Sequence, residues 1–240
     1  QTAAAAGAAR FSLVTSGRGV VTPRDQTAIV EAVAAIREAV PGLRVCASLG
    51  IVDKEFLKDL KAAGLFRFHH NLEAAASHFP RICTTHTYAE RVATIEAAQA
   101  AGLSVCAGGI LGLGETVAQR WELAQALADL GVDAIPLNFL HPLPGTALAD
   151  RPLLSPLEAL KAVVAFRLMH TERSLIICGG RQATLRSLGP LVFAAGADAL
   201  MTGDYLTTRG RLPEEDRQML ADLGLELDEN NVEQPSLAVQ

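Results

Sequence analysis

The sequence lacks most of the features that would direct it to other classes of protein. It has one Trp and two Tyr, and aromatic residues make up only 5% of it. There is no basic run and no aromatic–basic stripe, and acidic residues outnumber basic ones 26 to 21, so nothing invites a nucleic acid. No apolar stretch is long enough to span a bilayer, which argues against a membrane partner. The alanine-rich start, Gln1 to Ala9, does not read as a signal peptide, because no basic segment leads into an apolar one. A cytoplasmic setting is therefore the expectation. No Gly-x-Gly-x-x-Gly follows an apolar run, which lowers the case for a doubly wound dinucleotide-binding sheet. No Cys-x-x-Cys knuckle is present, which lowers the case for zinc. No lysine stands at a strand end to form a Schiff base, which counts against an aldolase-type lyase.

What is present is half hydrophobic, and 240 residues are enough for one large core or two small ones. One pattern recurs: a helix ends at glycine and a short apolar run follows. Gly64 leads into Leu65–His69, Gly102 into Leu103–Ala107, Gly131 into Val132–Asn138 and Gly196 into Ala197–Met201. Glycine closes a helix by adopting the left-handed conformation, and an apolar run of that length suits a strand buried on both faces. Phe11–Thr15, Arg44–Ser48 and Ser174–Cys178 complete seven predicted strands. Thr22-Pro23 predicts a helix start with Ile29, Val33 and Ile36 on one face, and Thr87-x-x-Glu90 and Ser155-x-x-Glu158 read as capping boxes.

Strands alternating with helices predict an α/β fold with a parallel sheet, of the (β/α) barrel type. Such a barrel has eight strands, and this chain opens in what reads as the end of a helix. The expectation is a partial barrel over 1–227, with the first β–α unit absent, followed by a polar tail over 228–240.

Functional groups of such a fold gather at the C-terminal ends of the strands. Cys46, Cys106 and Cys178 fall on the second, fourth and sixth predicted strands, and alternate strands contribute to one interior layer. Cys83 lies on a loop after the third and is a candidate fourth ligand. Four thiolates are the usual set for an iron–sulfur cluster; the competing reading is four inert core thiols.

Several longer motifs stand in one order. They are His70-Asn71-Leu72-Glu73, Ile82-Cys83-Thr84-Thr85-His86-Thr87-Tyr88 with Arg91, and Cys106-Ala107-Gly108-Gly109-Ile110-Leu111-Gly112-Leu113-Gly114-Glu115. Ile135-Pro136-Leu137-Asn138, Pro144-Gly145-Thr146, Gly179-Gly180-Arg181 and Gly203-Asp204-Tyr205-Leu206-Thr207-Thr208 follow. Together they cover roughly residues 10–210, and the set resembles the biotin synthases of the radical S-adenosylmethionine (SAM) superfamily.

That resemblance implies a sulfurtransferase that inserts sulfur into dethiobiotin. A [4Fe–4S] cluster cleaves SAM to a 5′-deoxyadenosyl radical, and an auxiliary cluster donates the sulfur. The hard chemistry belongs to the cofactors. By motif, Glu73 would bind the SAM ribose, Arg91 its carboxylate, and Ile110 its adenine, with Gly108 and Gly109 letting the backbone approach. Asn71 and Asn138 would bond the ureido ring, and Thr207 and Thr208 the valerate carboxylate. An electron donor such as flavodoxin or ferredoxin, and a second copy of the chain, are the implied partners.

The sequence departs from the family pattern in three places. The Cys-x-x-x-Cys-x-x-Cys motif that holds the SAM cluster is not in it, so the chain by itself is expected not to cleave SAM. The cluster cysteine of the first strand is Ser12, and the arginine ligand of the sixth is Ile176, with Cys178 two residues on and hence on the same strand face. Losing that thiolate and the arginine while gaining Cys178 and Cys83 favours an auxiliary cluster of four-iron type, with [2Fe–2S] as the alternative. The alternatives are a related radical SAM enzyme with another substrate, of the hydrogenase-maturation or amino-acid-mutase kind, and a non-catalytic iron–sulfur protein.

Overall fold

The structure is a computed structural model that describes residues 2–5, 8–205 and 209–226. Thr207, Thr208 and the expected tail over 228–240 lie outside the described residues. Contacts divide the chain into two compact units, one containing residues up to 71 and 83–107, the other 72–82 and 108–226.

The first unit runs α1 (Thr2–Ala5), β1 (Arg10–Val14), α2 (Pro23–Ala39), β2 (Arg44–Ser48), α3 (Lys54–Ala62), β3 (Arg67–His69), α4 (Tyr88–Ala100) and β4 (Ser104–Cys106). Its strands are parallel and pair in chain order, β1 with β2, β2 with β3 and β3 with β4. Local chemistry fixes the helices. Thr22 accepts from the Asp25 amide with Pro23 in the first turn, as the sequence predicts, and Val33 is the fully buried residue of the α2 stripe. Thr87 and Glu90 close both halves of a capping box at α4. Val45, Ala47, Phe68 and Val105 alternate with more polar neighbours along the strands and are buried with Phe56, Leu57, Leu60, Ile95 and Ala98 of the helices.

The second unit runs β5 (Gly109–Leu111), α5 (Val117–Asp129), β6 (Ala134–Phe139), α6 (Pro156–Met169), β7 (Ser174–Ile177), α7 (Arg181–Leu185), α8 (Leu191–Ala194), β8 (Ala199–Leu200) and α9 (Pro213–Asp222). Parallel pairing runs β5–β6–β7–β8. Ala159, Leu160, Ala162, Val163 and Phe166 of α6 are buried, as are Leu123, Ala124 and Leu127 of α5.

Gly64, Gly102, Gly131 and Gly196, predicted to end helices, all have positive φ, between 62° and 104°. Three expectations need correcting. The strands are shorter than the apolar runs; β8 is two residues rather than Ala197–Met201, because Ala197 is spent closing α8, its N–H on the Val192 carbonyl. β5 is a strand that the sequence pattern does not count, and it pairs in register with β6, Gly109 opposite Leu137 and Ile110 opposite Asn138. At α6 only half the capping box forms: Ser155 accepts from the Glu158 amide, while the Glu158 carboxylate pairs with Lys161 and Arg120.

Phe68, fully buried on β3, and Thr87, capping α4 at the surface, make different contributions. In urea unfolding, Phe68→Ala should cost about 3–5 kcal/mol and Thr87→Ala only about 1 kcal/mol.

Candidate active site

Strand register decides which candidate residues share a face. In the first unit Ser12 pairs with Cys46, Cys46 with Arg67, and Arg67 with Ser104, so these four lie on one register line. The next line along the same face carries Val14 and Ser48, and His69 opposite Cys106. Cys46 and Cys106 are thus buried thiols, neither in a disulfide, on one face of one sheet. Arg67 lies there too, 1% exposed, with Nε donating to Ser104 Oγ at 2.9 Å. His69 is legible in the sequence as a polar residue at a predicted strand end, whereas Arg67 does not stand out. A charged residue inside the apolar run Leu65–His69 was the signal that could have found it.

The strand ends of this unit hold Asn71 and Arg91. Arg91 projects from α4 back to the end of β3, where Nη1 donates to the Asn71 carbonyl at 2.8 Å and Nε to His86 Nε2 at 2.9 Å. Cys83 sits on the loop before α4, half-buried, with its sulfur beside Thr85 and His86 rather than on a strand.

In the second unit Ile110 pairs with Asn138. Leu137 pairs with Ile177, and beyond it Cys178 N–H donates to the Leu137 carbonyl at 2.9 Å. The line Ile110–Asn138–Cys178 therefore brings three candidate residues together. Glu73 joins them from the segment 72–82: its carbonyl accepts from Ile110 N–H at 2.9 Å, and it forms a parallel bridge with Gly109. Glu73 has φ 67°, a strained conformation for a residue with a side chain, of the sort that persists where the surroundings hold it.

Two expected roles look different in detail. The Asn138 amide is occupied by backbone, Oδ1 accepting from Gly179 N–H at 3.0 Å and Nδ2 reaching the Gly109 carbonyl at 3.4 Å. Gly108 and Gly109 make room first for the protein itself. A Cβ on Gly108 would lie 1.9 Å from the Pro136 carbonyl oxygen, and one on Gly109 2.7 Å from that of Glu73.

Cys178 is held by a buried polar clamp. Tyr205 OH donates to the Cys178 carbonyl at 3.3 Å and accepts from Arg181 Nε at 3.2 Å. Arg181 Nη2 meets Asp216 Oδ2 of α9 at 2.5 Å, and Thr202 Oγ1 donates to the same oxygen at 2.9 Å. Burial pushes the Cys178 thiol up to about 12, with the Arg181 charge working the other way. Left alone, this thiol stays protonated; a metal's charge would be needed to make it a thiolate ligand. Among the described residues, no group of three or more His, Cys, Asp or Glu is gathered so as to hold a metal ion.

The comparisons with known proteins give the class first. The family model of the radical SAM superfamily matches residues 4–142, and that of the biotin and thiamin synthesis associated domain matches residues 136–226. Among solved structures, methylornithine synthase (PylB) aligns with a TM-score of 0.77 at 20% identity, covering 92% of this chain and 68% of that one. The hydrogenase maturase HydG aligns at 0.74 and 18%, covering 92% and 53%. These likenesses show the fold, the parallel α/β fold of radical SAM enzymes. Within that class, the biotin synthase of Desulforudis audaxviator is 53% identical over 220 residues, 92% of this chain and 66% of that protein. The biotin synthase of Pelotomaculum thermopropionicum is 50% identical, covering 91% and 68%. The chain belongs to the biotin synthase family, and spans about two thirds of the length of these relatives. SAM and iron–sulfur clusters are the cofactors of that family. No helix among the described residues is long and apolar enough to cross a membrane.

The imidazoles at the end of β3 make the site sensitive to acid. Burial, then the Arg67 and Arg10 charges, push His69 down to about 4. Burial, then Arg91 and His86, push His70 down to about 3, against a hydrogen bond to the Gly50 backbone. Unfolded, each takes up a proton near 6.5, so between that value and the folded ones the unfolded chain binds more protons. Their contribution is complete above about pH 6.5 and is lost as the pH falls towards 4 and then 3. The urea midpoint should fall over that window, and His70→Gln should flatten the fall if the titration of this ring contributes as described.

Proposed function

We propose that this chain carries the substrate-holding and sulfur-handling part of a biotin synthase, which inserts sulfur into dethiobiotin. The observation that carries this is the register line Ile110–Asn138–Cys178, which puts a polar amide and a buried free thiol side by side, with Glu73 at its edge. In this reading Glu73 takes the ribose hydroxyls of SAM, Ile110 packs on the adenine, and Arg91, already turned to the end of β3, takes the carboxylate. Asn138 and Asn71 bond the ureido ring. The amide of Asn138 keeps Gly179 on Oδ1 and turns its long, 3.4 Å bond from Nδ2 towards the ring carbonyl. Thr207 and Thr208 take the valerate carboxylate.

Cys46, Cys106 and Cys178, with Cys83 as the candidate fourth, are the proposed ligands of an auxiliary cluster, which supplies the sulfur when bound. What supports this is that none of them is in a disulfide, so each thiol is available to iron. With no cysteine at Ser12 and no arginine at Ile176, a four-iron cluster is favoured over [2Fe–2S]. The Tyr205–Arg181–Asp216 clamp positions Cys178 through its carbonyl. A flavodoxin- or ferredoxin-type electron donor, a second copy of the chain and a cytoplasmic setting complete the proposal. The outer stripe of α6, Leu157, Val164 and Leu168, is exposed and apolar and suits that second copy.

Two measurements test this. Anaerobic reconstitution with iron and sulfide should load the chain, and Cys178→Ala should lower bound iron; full loading of the Cys178→Ala chain removes that ligand, and the same measurement on Cys83→Ala decides whether Cys83 is the fourth. With the chain joined to a Cys-x-x-x-Cys-x-x-Cys segment from a relative, dethiobiotin should yield biotin. Asn138→Ala should slow turnover about 10- to 100-fold, because polar groups of the ring left unpaired cost about 1–3 kcal/mol. Iron binding without any biotin would favour the non-catalytic alternative.

A further inference from the structure

Besides taking part in the clamp on Cys178, Arg181 borders a small cavity of the second unit. The cavity has a volume of about 220 Å³. Arg181, Arg186 and Arg211 line it together with apolar Leu185, Val192 and Leu200, and no carboxylate is among its lining residues. A guanidinium offers donors only and keeps its charge. Asp216 answers two of these cations: Oδ2 meets Arg181 Nη2 at 2.5 Å, and Oδ1 stands 3.7 Å from Arg211 Nε. Glu215 reaches Arg211 Nε only at 3.8 Å, in a half-exposed pair, and its carboxylate already accepts from Leu212 N–H at 3.0 Å. The Arg186 guanidinium has no hydrogen-bond or ion-pair partner among the described residues. Positive charge is therefore in excess around this space.

Two further observations point to a ligand. Arg181 is only 5% exposed, and its bonds to Tyr205, Met201 and Asp216 use Nε and Nη2. Its Nη1 donates to nothing among the described residues, yet it is not sealed in by protein. Arg186 has φ 52° and ψ −128°, a combination that glycine takes readily and a residue with a Cβ does not. The turn after α7 holds it there, the Arg186 carbonyl accepting from Gly189 N–H at 3.2 Å. Strain of this kind persists at ligand clamps, and here it keeps an unpaired guanidinium at the rim of a cationic cavity. The three cations come from separate segments: the start of α7, the turn after it and the residues just before α9. A carboxylate offers two oxygens in one plane. A phosphate group offers at least three on a tetrahedron and carries up to two charges, which suits donors arriving from several directions.

We propose that this cavity is a binding site for a phosphate group, free or as a small monoester, held by Arg181, Arg186 and Arg211. It goes beyond the sulfur chemistry and does not rest on it. The phosphate oxygens take the spare donor of Arg181 and the guanidinium of Arg186, and share Arg211 with Asp216. Leu185, Val192 and Leu200 leave an apolar side to the cavity, on which the carbon stem of a monoester can lie. Binding forms hydrogen bonds and ion pairs only. It ties α7, the turn after it and the approach to α9 to one anion, so the folded chain gains stability as the site fills.

The test uses the 240-residue chain. Inorganic phosphate, ethyl phosphate and acetate are each titrated by calorimetry and by thermal unfolding, with sodium chloride at matched ionic strength as the control. Phosphate should raise the unfolding midpoint where chloride does not, and bind about tenfold more tightly than acetate. Arg186→Gly is the discriminating variant, because it removes the cation and the backbone strain together. Without phosphate it should be at least as stable as the parent, while its phosphate affinity falls about tenfold. Arg186→Lys should keep part of that affinity, a point charge replacing the fork. Arg211→Ala should also weaken phosphate about tenfold, and it keeps the test decisive if Arg186→Gly fails to fold. Ethyl phosphate bound more tightly than phosphate assigns the site to monoesters; equal or weaker binding assigns it to the free ion. A response that chloride matches, or acetate bound as tightly as phosphate, would overturn the proposal. So would full phosphate affinity in folded Arg186→Gly and Arg211→Ala chains.

Discussion

A parallel strand sends alternate side chains to opposite faces, and every candidate residue on a strand of this protein inherits its position from that alternation. In the first unit, Val45, Ala47, Phe68 and Val105 form the apolar set buried with α2, α3 and α4. Cys46, Arg67, His69 and Cys106 occupy the intervening positions. Slipping β3 by one residue against β2 would put Phe68 where Arg67 now stands and place a guanidinium among leucines. The hydrophobic set therefore fixes the register, and the chemical set follows from it. The same constraint in the second unit aligns Ile110, Asn138 and Cys178 while Leu137 and Ile177 fill the alternate line.

Holding polar groups inside such an arrangement has a cost that must be met locally. The Arg181–Asp216 pair illustrates how. Both side chains are about 95% buried, and neither is satisfied by a single partner. Arg181 also reaches Tyr205, and Asp216 also receives Thr202 and stands 3.7 Å from Arg211. A buried ion pair in isolation contributes little, because desolvation offsets the attraction, but breaking one by removing a single partner costs about 3–5 kcal/mol. The effect here is one of position. α9 is tied to the loop after β7, and through Tyr205 that tie reaches the Cys178 carbonyl. His69 and His70 follow another route: both rings give up their charge instead of finding a counter-ion.

The architecture was largely legible in the sequence because its signals are local. A left-handed glycine after a helix, Thr22 before Pro23, and Thr87 three residues before Glu90 act through neighbours in the chain. The strand order and the placing of three cysteines on strands follow from counting those signals. What escaped depends on partners distant in sequence. Gly108 and Gly109 stand at the end of a predicted strand, and only the close approach of Pro136 and Glu73 shows why no side chain fits there and why β5 follows. Glu158 reads as half of a capping box, yet Lys161 and Arg120 compete for it. Arg67 could be recognised as a site residue only once register placed it beside Cys46. The side-chain amide of Asn138, expected to face a ligand, also holds Gly179, which no spacing in the sequence reveals.

The four cysteines show how far environment alone can separate identical side chains. Desolvation dominates at Cys178, and a thiol pushed up to about 12 presents almost no anion at neutral pH. Such a sulfur is protected from alkylation and oxidation until a cation arrives to pay for its charge, a good property in a ligand and a poor one in a nucleophile. Cys83 has other surroundings: it lies half-buried on a loop with its sulfur 3.4 Å from Thr85 Oγ1. Slight burial opposes ionisation there, and hydrogen bonds from Thr85 and the His86 backbone, with the Arg91 charge, outweigh it and hold the thiol below its usual value. The separation of the two thiols follows from burial and from which donors the chain brings to each sulfur.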